Sequence, residues 1–346
     1  MDSKDRINFI DRIKVFACIL VVVNHSISSE WVKMPSGTND ITWYILNLVF
    51  LFTKASIPLF FMCSGALMLN KDRDIRTVFR KNIFFVLKIY VVWMLIYGIV
   101  DVIKSYKTVT PRTAVNTVIK SVLFGHYHTW FIAALLGLYL ITPLLKVITD
   151  HRDLERYYLL LSVLFTILIP YIGRIAFFER EYHVINDISM QFVIGDSLYY
   201  VAGHYLLHTP QRKHEKPFLI ALLAVSTVAA YIISNLAAES SAGGDVQLVY
   251  SESSIAGFLI SVCLFRMIQL SDHRLTKKKH TLTMTRTLCS YGFAIYLMHP
   301  LFLGAAKAVH GLAVFPAGIM VWLIAAGVSA IIAKTPLSKV LLGLKQ

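Results

Sequence analysis

Charge is scarce in this sequence. Only 16% of its 346 residues are Asp, Glu, Lys or Arg, against 56% that are hydrophobic, and the mean hydropathy is +0.63. A soluble domain carries about 25% charged residues, so a soluble enzyme with an apolar core is excluded. Carboxylates are scarcer than cations, 20 against 34, yet the basic residues are spread over many loops and form no single patch. That spread argues against a nucleic-acid partner and for membrane topology. Cysteine is limited to Cys18, Cys63, Cys263 and Cys289. All lie in or beside apolar runs with no CxxC spacing, so neither a disulfide framework nor a zinc or other metal site is indicated.

Long polar segments are also missing. The longest connections, about 104–127 and 238–252, are too short to bury a core of their own. The chain therefore reads as one membrane domain over 1–346 with no separate soluble domain. No internal repeat is visible, which weakens an inverted-repeat transporter reading. The charged and then apolar amino terminus lacks a small-x-small cleavage site, so it reads as a retained first span.

What is present is a series of apolar runs near the 20 residues that cross a bilayer. Ten are expected, at roughly 13–29, 43–70, 82–103, 128–149, 157–178, 190–208, 217–237, 253–270, 290–309 and 314–334. The fold class is thus all-α, a polytopic membrane protein. With an even number of spans, 24 Lys and Arg fall on the amino-terminal side and 8 on the other, so both termini are expected in the cytoplasm.

Asp11 to His25, DRIKVFACILVVVNH, organises the rest. Lys14 and His25 are 11 residues apart, close to three helical turns, so they share a face and stand about 16 Å apart along the axis. Lys14 then lies near a bilayer surface and His25 near its middle, where an ionisable group is a functional candidate. A neutral His bonded to a neighbouring helix is the plainer alternative. The second run is interrupted around Lys54, Ser56 and Pro58, because proline removes a backbone donor and bends a helix. Ser64 and Gly65 follow in PLFFMCSGALML; small pairs of this kind serve helix packing more often than catalysis. The segment 112–124 has a helical rhythm that suits the outer interface. His126, His128 and Trp130 open the fourth run at interfacial depth, where anchoring explains Trp130 better than it explains His128. In SYGFAIYLMHP, His299 lies about 13 Å beyond Ser290, at a depth comparable with His25, and shares a face with Tyr296.

Four stretches in order, Asp11-x-x-Lys14 with His25, PLFFMCSG, HTWF with Tyr139 and Pro143, and SYGFAIYLMH, resemble the integral-membrane acyltransferase-3 family over essentially the whole chain. The similarity is greatest to the enterobacterial common antigen O-acetyltransferase type, in which Ile194–Tyr200 also has a counterpart. Lys14 stands where many relatives carry Arg, which keeps the charge but loses the bidentate fork. The family's inner-loop Arg-x-x-Arg element corresponds loosely to Arg73/Arg76 or Arg76/Arg80.

The resemblance implies an O-acetyltransferase that moves an acetyl group from cytoplasmic acetyl-CoA to a cell-envelope glycan or lipid-linked sugar in the bacterial inner membrane. No cofactor is expected to be permanently bound. A sugar hydroxyl needs a base as it attacks a thioester, and neutral imidazole suits that task. His25 is then general base or transient acyl carrier. Lys14, Arg76 and Arg80 would hold the CoA phosphates, with Ser64 beside the cofactor arm and Asp11 and Gly65 as structural support. His128 and Trp130 would meet the acceptor, and Tyr296, Ser64 or His299 would donate to the oxyanion. A transporter or flippase of a lipid-linked sugar and a non-catalytic envelope-assembly partner are the rival readings.

Overall fold

The computed structural model describes residues 7–31, 41–172, 194–239, 250–251, 253–272, 279–306 and 308–344. Among them there is no strand; the elements are α1 (Asn8–Trp31), α2 (Ile41–Thr53), α3 (Ser56–Met68), α4 (Ile75–Lys104), α5 (Pro111–Phe124), α6 (Trp130–Thr149), α7 (Arg152–Tyr171), α8 (Ser197–Leu207), α9 (Glu215–Glu239), α10 (Ile255–Leu270), α11 (Lys279–Ala306) and α12 (Val314–Ile332). Seven helical segments are long and apolar enough to cross a membrane, with α2 and α3 counted together. They correspond to seven of the ten expected spans, and the chain is an all-α polytopic membrane protein. The other three expectations fall on α1, which carries Asp11, Arg12 and Lys14, on α8, and on α10 with its 16 residues. Residues 190–193 at the start of the expected span 190–208 lie outside the described residues, as does most of 238–252.

α1 is the central helix. Ile10, Ile13, Ala17, Cys18, Val21 and Val22 are each at most 2% exposed, a stripe at the 3-and-4 spacing that one helix face requires. It packs on α3, α11 and α12. Four rungs fix α1 and α11 as parallel neighbours: Arg286 Nη2 donates to Asn8 Oδ1 (2.9 Å), Cys289 Sγ to Asp11 Oδ1 (3.2 Å), Cys18 Sγ to Gly292 O (3.6 Å), and the His25 ring stacks on His299. The partner numbers rise together along both helices, so two histidines from opposite ends of the sequence arrive at one depth.

In lipid, helices gain no hydrophobic driving force from associating, so close packing has to come from small residues and hydrogen bonds. Gly65 on α3 and Gly203 on α8 supply it reciprocally. A Cβ at Gly65 would run into the Tyr200 backbone, and one at Gly203 into the Met62 backbone. The Tyr200 hydroxyl and Thr142 Oγ1 then join α8 to α6 at 2.8 Å. The break expected in the second run is present: Lys54 and Ala55 form a turn between α2 and α3. Pro58 consequently sits in the first turn of α3, where its missing N–H leaves no helical bond unmade.

α5 confirms the helical rhythm of 112–124. Thr110 and Thr113 cap it reciprocally, and Val115, Ile119 and Leu123 present an exposed apolar stripe of the kind an interfacial helix turns to the membrane.

Candidate active site

Two cavities meet inside the bundle. The larger, about 730 Å³, opens among Lys71, Asp72, Arg73, Thr77 and Lys81, passes Lys14, Ser64, Tyr139 and Cys289, and ends at Phe131 and Tyr296. Its wall carries four cations, Lys14, Lys71, Arg73 and Lys81, against one carboxylate, Asp72. Local backbone geometry sets part of that wall. The first turns of α4 widen into a π-helical stretch, Val78–Ile83, which inserts an extra residue per turn and puts both Lys81 and Asn82 on the cavity side. A second π-helical turn, Ser338–Leu342, brings Leu342 and Gly343 to the same cavity and is tied down by the Trp93 Nε1 bond to Leu341 O (3.1 Å).

The smaller cavity, about 40 Å³, is lined by Val21, Asn24, His25, Thr53, Lys54, Ser56, Ile57, His128, Trp130 and Tyr296. Tyr296 lines both spaces. Its hydroxyl donates to the His128 carbonyl, and its ring packs edge-on against Phe131 at 5.4 Å. The tyrosine thus stands as the partition between a long basic-mouthed cavity and a small polar one.

Around the small cavity the imidazoles are arranged by the backbone. His25 stacks on His299 with ring centroids 5.2 Å apart and planes 25° apart, and His128 meets His299 edge-on at 5.9 Å. The tautomer of His299 follows from the proline after it. Pro300 has no N–H, so the carbonyl of Tyr296, four residues back, loses its helical donor. His299 Nδ1 takes that place at 2.6 Å. A carbonyl only accepts, so Nδ1 carries the proton and Nε2 keeps its lone pair. That Nε2 is buried and makes no hydrogen bond among the described residues, and the same holds for both ring nitrogens of His128. The His126–Thr129 turn holds His128 in place: Thr129 N and Oγ1 both donate to His126 O at 2.8 Å, and His126 N donates to Thr129 Oγ1 at 3.0 Å. His126 turns the other way, its Nε2 3.0 Å from Ser121 Oγ and 3.5 Å from Asp101 Oδ2. Four histidines invite a metal reading, but among the described residues no three His, Cys, Asp or Glu converge as ligands.

The residues singled out in the sequence divide as follows. Lys14, Ser64 and Tyr296 line the large cavity; His25, His128, Trp130 and Tyr296 line the small one, and His299 backs His25. Asp11 is buried and accepts from Cys289, and Gly65 serves the α3–α8 contact. Arg76 and Arg80 are exposed and do not line the cavity; Lys71, Arg73 and Lys81 occupy that wall. Lys54, Asn24 and Thr53 were not singled out for the site. Thr53 Oγ1 donates to Asn24 Oδ1 (2.9 Å), binding the helix break to α1. The signal for Lys54 was a cation in an apolar run beside a helix-breaking proline.

Buried imidazoles of His128 and His299, beside a small cavity that shares Tyr296 with a longer one, form the candidate active site. The profile of the acyltransferase-3 family, described as an acyltransferase domain, matches residues 7–337, and the chain belongs to that family of acyltransferases. No curated protein and no solved structure matches it.

Proposed function

We propose that the protein is an O-acetyltransferase of the bacterial inner membrane. It takes acetyl from cytoplasmic acetyl-CoA and passes it to a hydroxyl of a cell-envelope glycan or lipid-linked sugar, as the enterobacterial common antigen type of this family does. The observation that carries this reading is Tyr296 lining both cavities. A long space with four cations at and below its mouth suits an anionic, elongated donor, and it ends one side chain away from imidazole.

Lys71, Arg73 and Lys81 with Lys14 would meet the CoA phosphates by charge, a set that replaces Arg76 and Arg80 in this role. The pantetheine arm would run past Ser64 and Tyr139 toward Tyr296, over a length comparable with the roughly 16 Å of helix between Lys14 and His25. The acceptor would come from the opposite side, past the exposed Tyr127 and Trp130. As its hydroxyl oxygen attacks the thioester carbon, its proton passes to His25 and then to the departing thiolate. His25 acting first as acyl acceptor is the other route to the same products.

Purified protein supplied with acetyl-CoA and envelope glycan tests the reading. Acetylated glycan and free CoA thiol should appear together, each dependent on the other substrate. A protein that moves lipid-linked sugar across vesicles without consuming acetyl-CoA would replace this reading with a transporter.

A further inference from the structure

The two expected oxyanion donors next to His25 have their protons committed inside the protein. Tyr296 O–H donates to the His128 carbonyl, and His299 Nδ1–H donates to the Tyr296 carbonyl. Ser64, the third expected donor, lines the large cavity and not the small one. An acyl transfer at His25 still needs positive charge or donors aimed at the carbonyl oxygen, which turns anionic in the transition state.

Lys54 meets that need. It lies on the turn that separates α2 from α3, and it lines the same small cavity as His25. Its Nζ rests 4.2 Å from the centroid of the Phe50 ring. A lysine at this depth is costly to keep and marks function by default. The Thr53 hydroxyl, its one proton shared between Phe50 O (2.6 Å) and Asn24 Oδ1 (2.9 Å), holds the turn in position.

We infer that Lys54 is a catalytic residue whose ammonium stabilises the tetrahedral oxyanion formed on the acyl group beside His25. This rests on the acyltransferase reading above. In the step itself, the attacking oxygen bonds to the thioester carbon and its proton moves to the His25 ring. The carbonyl π pair moves onto oxygen beside Lys54. Collapse re-forms C=O and breaks C–S, and the thiolate leaves with the proton from the imidazolium. The same carbonyl oxygen becomes anionic if imidazole nitrogen attacks first, so the role does not depend on the route.

The test compares Lys54→Met and Lys54→Arg with the wild type, using acetyl-CoA and glycan acceptor and with the melting temperature of each purified protein as a folding check. Lys54→Met should lower kcat by about 100- to 1,000-fold with KM for both substrates within about 3-fold, and Lys54→Arg should recover at least about 10-fold of that loss, the order of a retained charged hydrogen bond. If Lys54→Met does not fold, Lys54→Gln takes its place with the same expected kcat loss. Wild-type kcat in the neutral variants overturns the assignment, as does a raised acceptor KM with kcat intact. Inactive wild-type protein would instead overturn the acyltransferase reading on which the inference rests.

Discussion

The bundle holds two buried polar clusters that differ in how fully their hydrogen-bonding atoms are satisfied. At the end of α8, Arg266 is 1% exposed, and all three of its guanidinium nitrogens are bonded, to Glu215, Gln269 and the carbonyls of Leu206, Thr209 and Pro210. Glu155 beside it is equally complete, one oxygen 2.7 Å from His204 Nδ1 and the other 2.8 Å from Arg152 Nη1. The histidine pocket is different. His299 Nε2 and both nitrogens of His128 are buried without hydrogen bonds among the described residues. The first cluster answers a structural problem, since the last carbonyls of a helix have no intrahelical donor and an orphaned polar group in hydrocarbon costs several kcal/mol. The second makes no such bonds among the described residues, and it lies beside Tyr296, which both cavities share. Saturation holds a fold in place, whereas open lone pairs are what proton transfer requires.

Three substitutions break the comparison in different ways. His25→Ala removes the imidazole at the junction; it should lower acetyl transfer by about 100- to 10,000-fold while the melting temperature and membrane yield stay near wild type. Arg266→Ala should do the reverse. It leaves Glu215 without its cation and the Thr209 and Pro210 carbonyls without the Arg266 donor, a loss of roughly 3–5 kcal/mol for a broken ion pair. That loss is to be read as a lower melting temperature, with transfer per folded molecule close to wild type. Pro300→Ala should have the smallest effect and is the sharpest of the three. It returns an N–H to the Tyr296 carbonyl, releases His299 Nδ1 and loosens the tautomer. The rate should fall about 5- to 10-fold, the scale of one hydrogen bond of about 1 kcal/mol, even as the helix loses a breaker.

Much of this was legible in the sequence, for reasons that can be named. The common level of His25 and His299, whose rings stack, followed from counting residues along helices of fixed rise, and the break at Lys54–Pro58 followed from the missing N–H of proline. Which cations face the large cavity did not follow. Arg76 and Arg80 share one helix face, and Thr77 and Lys81 the next; in a polar segment no apolar stripe marks the inward side, and the π-helical turn over Val78–Ile83 shifts the register as well. The length of α8 was also hidden, because an apolar run measures how much chain suits lipid and not where the helix starts. The role of Lys54 needed a cavity to be seen around it. The commitment of Tyr296 and His299 as donors needed their partners' positions, although Pro300 beside His299 already pointed to a free carbonyl.

The central claim is that His25 is reached by the donor from one membrane face and by the acceptor from the other. Oriented proteoliposomes with labelled acetyl-CoA confined to the Lys14 side and glycan acceptor confined to the Trp130 side test it directly. The account predicts labelled glycan with wild-type protein and none with His25→Ala. Labelling that occurs only when donor and acceptor share one side would contradict it.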